Sequence, residues 1–309
     1  MQIGSSDLDI APLALGGNVF GWTADEAASF AVLDAFVAGG GSMVDTADAY
    51  SAWAPGHTGG ESETVIGRWL AARGRRDDVV VATKVSQHPD FRGLAPSTVR
   101  AAAQASLGRL GTDRIDLYWA HFDDADTPIA ETAGAFSALV DDGLVRWIGV
   151  SNYSPERIDE WIAAADADGL HRPVALQPHY NLVERAFEGG LRDRAERYGL
   201  GVTPYFALAR GFLTGKYRDG GPDVDSPRAG QAAAYLDDRG RRVLAALDEV
   251  AAAHGVQPAS VALAWLRSRP TVVAPIASAR STEQVAPLLA SLELALSPAE
   301  LDHLTAAGA

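Results

Sequence analysis

Residues 78–84 read DVVVATK, residues 114–120 read RIDLYWA and residues 145–150 read VRWIGV. Each is a short β-branched or apolar run, and each gives way to a longer Ala-rich segment of helical period. Working outward, the same kind of run recurs as PLAL ending at Leu15, SMVD at Asp45, PVALQ at Gln177, GVTPY at Tyr205 and TVVAPIA at Ala277. Strands alternating with helices in this way predict βαβ units and a parallel sheet. With eight runs and no long Pro/Gly/Ser linker, the expectation is an α/β fold, a TIM (β/α)8 barrel forming one domain over residues 1–309.

Punctuation supports the reading. Met1 to Ile10 is expected to add a short N-terminal hairpin. Thr127-Pro128 and Ser154-Pro155 each place a capping hydroxyl before a proline at the first helical position. Ser281 with Gln284, and Ser297 with Glu300, have capping-box spacing, and the second pair marks an extra C-terminal helix. The stretch 219–228, DGGPDVDSPR, reads as a mobile loop after the seventh strand.

A hydrophobic content of 47% with 21% charged residues describes a globular chain able to bury a large core. Its formal net charge of -14 argues against nucleic acid or an anionic membrane surface as partner, since both are polyanions. Any anionic cofactor must then be held by local donors. Without cysteine there are no disulfides, thiol nucleophiles or thiolate metal sites. Met1 to Asp9 has neither the basic nor the apolar segment of a secretory signal, and no apolar run approaches the roughly 20 residues that span a bilayer. A cytoplasmic location is the expectation by elimination.

In a parallel barrel the catalytic groups gather where the strands end. Asp45 ends the second strand with Tyr50 in its loop, Lys84 ends the third, His121 follows the fourth and Ser151-Asn152 follow the fifth. Gln177 ends the sixth, Tyr205 the seventh, and Ser278 and Arg280 follow the eighth. Polar residues on nearly every strand end of one rim are hard to explain as packing. Carbonyl reduction wants this set, because a hydride reaches carbon while oxygen collects a proton. A phenol supplies that proton only if its pKa is brought down from about 10, which a neighbouring ammonium does by stabilising phenolate. Tyr50, Lys84 and Asp45 suit the roles of acid, ammonium and orienting carboxylate, and His121 suits a donor to the carbonyl oxygen.

These residues resemble the aldo-keto reductases from about Leu13 to Leu289. The resemblance is carried by MVDTADAYS (43–51), GGESETVIGRWL (59–70), VVVATKV (79–85), IDLYWAH (115–121), RWIGVSNYSPE (146–156), ALQPHYNLVER (175–185), YFALARGFLTGKY (205–217) and APIASARSTEQV (274–285). It implies a catalytic tetrad of Asp45, Tyr50, Lys84 and His121. It also implies that Ser151, Asn152 and Gln177 hold a nicotinamide carboxamide, with Tyr205 stacked on the ring. The stretch Phe206, Ala207, Leu208, Arg210 and Gly211 is similar to the family's pyrophosphate-binding segment, with Lys216 near the phosphates. This chain reads YFALARG there, where many relatives have a Tyr-Ser-Pro-Leu-like run. Ala277, Ser278, Arg280 and Gln284 resemble the grip on an adenosine 2'-phosphate, which implies NADPH/NADP rather than NADH; Gln284 equally fits its helix cap.

The implied substrate is a small-molecule carbonyl compound: an aldehyde, a ketone or a sugar carbonyl. Trp22, Trp53 and Phe122 lie in loops of the same rim as candidate pocket walls. Trp119 could face the core or the helices, and His57, in the insert 52–60, is expected at the surface. No GxGxxG follows a strand, GFLTGKY lacks P-loop spacing, and His171 and His179 lack an HExxH pattern. Asp123, Asp124 and Asp126 resemble an acidic metal loop but suit a helix start, so no metal is expected. Two other readings stand beside the reductase: a nicotinamide-binding sensor like the family's channel-associated β members, and a metal-dependent barrel hydrolase.

Overall fold

The eight runs form eight strands: β1 (Ala14–Gly16), β2 (Met43–Asp45), β3 (Val80–Val85), β4 (Ile115–Ala120), β5 (Val145–Ser151), β6 (Ala175–Gln177), β7 (Gly201–Val202) and β8 (Ile276–Ala277). The computed structural model describes residues 1–218, 227 and 229–309, so the expected loop at 219–228 lies outside the described residues except for Pro227. All strand pairs in this sheet are parallel, in the order β8-β1-β2-β3-β4-β5-β6-β7. The two ends of that order meet, because Val202 bridges Val272 in parallel and exchanges backbone hydrogen bonds of 2.9 Å with Thr271 and Val273. The sheet is an α/β barrel of the TIM type. β7 is short; beyond it Thr203 and Tyr205 still donate to the Leu176 and Pro178 carbonyls at 3.0 Å, and Tyr205 forms an isolated bridge with His179.

Helices fill the crossovers: α1 (Glu26–Ala38), α2 (Glu61–Arg73), α3 (Pro96–Leu110), α4 (Ile129–Asp141), α5 (Pro155–Asp168) and α6 (Gly190–Tyr198), then α7 (Ala229–Ala233), α8 (Asp238–His254), α9 (Pro258–Arg267), α10 (Thr282–Ala290) and α11 (Pro298–Ala307). Two cores result. The outer one lies between sheet and helices, where Tyr118 packs 5.3 Å from Phe136 of α4. The inner one fills the barrel with Met43, Ala82, Leu117, Trp119, Val174, Ala175 and Ile276. Trp119 therefore faces inward, and Gly149 makes room for it: a Cβ there would come 2.3 Å from the indole. Ile3, Leu8 and Ile10 of the N-terminal hairpin, closed by a Gln2–Asp9 bridge, join this inner cluster and seal the N-terminal ends of the strands. The opposite rim is left for the polar strand ends.

Two caps behave as the sequence predicts. Ser154 accepts from Arg157 N–H with Pro155 in the first turn, and Ser297 and Glu300 form a full capping box at α11. Two do not. Pro128 is itself the residue before α4, and the Thr127 hydroxyl donates to Asp124 at 2.7 Å because that carboxylate is the nearer acceptor. The Ser281 side chain makes no cap bond, and Gln284 Oε1 accepts from Arg280 N–H at 2.9 Å instead.

Candidate active site

At the C-terminal rim, β2 ends on Asp45 and the neighbouring β3 carries Lys84 one residue from its end. Lys84 Nζ donates to Asp45 Oδ2 at 2.5 Å, to the Thr46 carbonyl at 2.7 Å and to the Tyr50 hydroxyl at 3.0 Å. Gln177 Nε2, from across the barrel, takes the other Asp45 oxygen at 3.0 Å. Lys84 is fully buried and Asp45 1% exposed, so the pair is tolerable only because each charge is compensated and hydrogen-bonded. Burial works to discharge Lys84, but Asp45 and then Tyr50 outweigh it, and its pKa ends above the ordinary lysine value. The ammonium is therefore retained through the neutral range, and its contribution to stability is lost only as pH rises past the ordinary lysine value.

The loop carrying Tyr50 is held from below. Ser62, in the first turn of α2, donates to the Gly17 carbonyl at the end of β1 and bonds the Thr46 hydroxyl, both at 2.8 Å. Thr58 and Gly59 donate their N–H groups to the Glu61 carboxylate. Gly60 sits at φ +83°, a left-handed conformation glycine adopts without strain, and a Cβ there would strike Arg109 at 2.4 Å. Arg109 passes beneath to reach Glu63 Oε2 at 2.6 Å, while Thr83 donates to Glu63 Oε1 at 2.5 Å. This support was not singled out in the sequence; the GGESE run (59–63) holds five of its members.

His121 completes the tetrad, its ring centroid 6.3 Å from that of Tyr50. Burial, reinforced by the Lys84 charge, pushes its pKa well below the ordinary histidine value, so the imidazole is neutral. Nδ1 is buried with no hydrogen-bond partner among the described residues; with the ring proton on Nε2, that nitrogen would be the donor to a carbonyl oxygen. Phe122 lies 5.0 Å from His121, Trp53 6.0 Å from Tyr50 and Trp22 5.5 Å from Trp53. Phe122 and Trp53 thus adjoin the tetrad, both exposed, and Trp22 packs against Trp53. His57 is half-buried rather than at the surface, its Nδ1 closed off beneath the insert.

A second group of candidates lies beside the tetrad. Ser151 donates to the Gln177 carbonyl at 2.9 Å. Asn152, at φ +56°, donates to the His121 carbonyl at 2.8 Å and accepts from the Tyr205 hydroxyl at 2.8 Å. Beyond Tyr205 the chain turns through positive φ at Phe206, Ala209, Arg210 and Gly211. Arg210 lies 3.9 Å over the Phe206 ring and donates to Gln231 at 2.7 Å. Ala207 is buried, Leu208 is half-buried and Lys216 rests 5.1 Å from the Tyr217 ring. Past β8 and its last residue Ala277, Ser278 Oγ donates to Asn18 Oδ1 at 2.6 Å. Asn18 was not singled out; it follows the Gly16-Gly17 pair at the end of β1 and bears no motif of its own. The Arg280 guanidinium has no ion pair or hydrogen bond among the described residues. Asp123 and Asp124, the suggested metal loop, are engaged by Arg157 and by Leu94 and Thr127, and no cluster of metal-ligating side chains occurs among the described residues.

Asp48, two residues before Tyr50, is fully buried, and neither carboxyl oxygen has a side-chain hydrogen-bond partner among the described residues. Burial and then the Glu63 charge drive its pKa well above the ordinary carboxylate value, against Arg109 and Lys84. The native state therefore keeps a proton that the unfolded chain has lost, and stability falls as pH rises above the unfolded value. Asp48→Asn removes that dependence: its Tm advantage over wild type is expected to grow by about 2–4 °C from pH 4.5 to 8 in calorimetric scans. The pH-independent cost of the amide's own donors cancels from that slope. A flat difference would show Asp48 ionised in the native state.

The model of the Aldo/keto reductase family matches residues 12–309. Protein tas of Escherichia coli (strain K12) is 31% identical over 99% of this chain and 96% of its own length. YrpG of Bacillus subtilis (strain 168), described as an uncharacterized oxidoreductase, is 33% identical over 95% of this chain and 91% of its own. A probable voltage-gated potassium channel subunit beta of Oryza sativa subsp. japonica is 32% identical over 99% and 95%.

Proposed function

The chain belongs to the aldo/keto reductase family of oxidoreductases, and from that premise we propose that it is an NADPH-dependent reductase of small aldehydes, ketones or sugar carbonyls. The observation that carries the reading is the hydrogen-bonded chain Asp45–Lys84–Tyr50 with a neutral His121 beside it. A substrate oxygen seated between Tyr50 Oη and His121 Nε2 would be polarised by the imidazole and protonated by the phenol. Lys84, anchored by Asp45 and Thr46, stabilises the phenolate this leaves. NADPH would supply the hydride.

The residues fit that cofactor. Asn152, Gln177 and Ser151 offer amide and hydroxyl groups for a carboxamide, and Tyr205 offers a ring for the nicotinamide. Arg210, Lys216 and Arg280 are cations at the phosphate end of a chain whose net charge is -14, with the backbone of Phe206, Ala207, Leu208 and Gly211 alongside. Arg280, with Ala277, Ser278 and Gln284 about it, suits the 2'-phosphate as a guanidinium fork. Arg280→Ala is expected to weaken NADPH by about 10- to 100-fold and NADH by less than about twofold, measured by fluorescence titration. Equal weakening of both would remove the 2'-phosphate role.

Trp22, Trp53 and Phe122 form the proposed substrate walls, within a single domain spanning residues 1–309. No helix among the described residues is long and apolar enough to cross a membrane; a cytoplasmic place, where NADPH is at hand, suits the reading. The relative described as a potassium channel subunit beta motivates a second reading, a nicotinamide-binding regulatory protein with little turnover. Following nicotinamide absorbance against a panel of carbonyl compounds separates the two: turnover supports the reductase, and tight NADPH binding without turnover supports the other.

A further inference from the structure

We propose that His179 is a positioning residue for the nicotinamide, backing the Tyr205 ring and, when protonated, selecting against the oxidised form of the cofactor. The inference rests on the reading above, in which NADPH binds with its ring on Tyr205. His179 and Tyr205 are paired through a backbone bridge between the ends of β6 and β7, and Tyr205 N–H donates to the Pro178 carbonyl at 3.0 Å. Their rings are stacked, centroids 5.2 Å apart and planes inclined by 17°. Phe206 packs edgewise on both, at 5.1 Å from Tyr205 and 5.4 Å from His179. The Tyr205 hydroxyl is tied to Asn152. One face of the Tyr205 ring is thus covered by imidazole and its tip is fixed; in the reading above the nicotinamide would lie on the opposite face.

Hydrogen bonding does not account for a histidine here. Its Nε2 is buried without a partner, so the ring contributes a flat surface, and stacked aromatic pairs stabilise beyond the area they bury. What distinguishes imidazole from other flat rings is its proton. Burial lowers the His179 pKa, with Arg210 acting in the same direction and Glu184 against it. Tyr205 between them feels Arg210, Tyr50, Glu184 and Tyr235. His179 is therefore neutral at neutral pH and gains charge on acidification. Oxidised nicotinamide is a cation and reduced nicotinamide is not, so an imidazolium one ring away opposes NADP⁺ and leaves NADPH alone. Ionisation of the 2'-phosphate is common to both forms and cancels from their ratio.

The test is the ratio Kd(NADP⁺)/Kd(NADPH), measured by fluorescence titration from pH 8 to pH 5 on the wild-type protein, His179→Phe and His179→Asn. In wild type the ratio is expected to rise by about three- to tenfold on acidification. His179→Phe keeps the stacking and loses the proton, so its affinities at pH 8 match wild type and its ratio stays flat. His179→Asn loses the ring, so both affinities fall by about two- to tenfold at pH 8. A wild-type ratio that does not change, or a Phe variant whose ratio rises like wild type, overturns the inference; the latter would assign the effect to His121. Should neither variant fold, His179→Leu, which also carries no ring proton, takes their place, and a ratio that still rises on acidification overturns the inference. Absence of NADPH binding by the wild-type protein overturns the parent reading, and this inference with it.

Discussion

Tyr50→Phe is expected to lower kcat for carbonyl reduction by about 10²- to 10⁴-fold while NADPH affinity stays within about twofold. The substitution removes one oxygen. The ring stays to pack against Trp53 and His121, and Lys84 keeps Asp45 and the Thr46 carbonyl as partners, so neither loop nor charge network loses its support. What disappears is the one hydroxyl that Lys84 bonds among the described residues. Polarisation by His121 remains, which is why the loss is expected to stop short of abolition. Single-turnover rates with a generic aldehyde, beside a fluorescence titration of NADPH, check both halves of the expectation. Weakened cofactor binding with an unchanged hydride-transfer rate would take Tyr50 out of the chemistry and make it a binding residue.

That such an experiment can be designed from sequence motifs has a physical reason. In a parallel barrel each strand delivers its last residue to the same rim, so Asp45, Lys84, His121 and Gln177 could be placed together without knowing a single distance. Direction within a strand was less legible. A barrel strand is apolar on both faces, so nothing in IDLYWAH says that Trp119 points inward and Tyr118 outward until Gly149 is seen opposite the indole. Partnerships made across the fold were not legible either. The Glu63–Arg109 pair joins residues 46 apart, and the His179–Tyr205 stack depends on how two strand ends meet. Caps failed where a competing acceptor lay close by, as Asp124 does for Thr127.

Lys84→Met is expected to be the most costly substitution at the site, because it removes one half of a buried ion pair. Asp45 would be left 1% exposed with Gln177 Nε2 as its remaining side-chain donor, and stranding a buried carboxylate costs about 3–5 kcal/mol. For a chain of this size that lowers Tm by roughly 6–15 °C. Activity would fall with it, but the single variant cannot say whether chemistry or architecture failed. Adding Asp45→Asn resolves this. The double variant carries no buried charge at the site, since an amide can still accept from Gln177, and most of the lost stability should return. Reduction should not return, because nothing then stabilises a phenolate on Tyr50. Recovery of both stability and turnover would show the ammonium to be a strut alone, and recovery of neither would place the cost in lost packing around the lysine stem rather than in its charge.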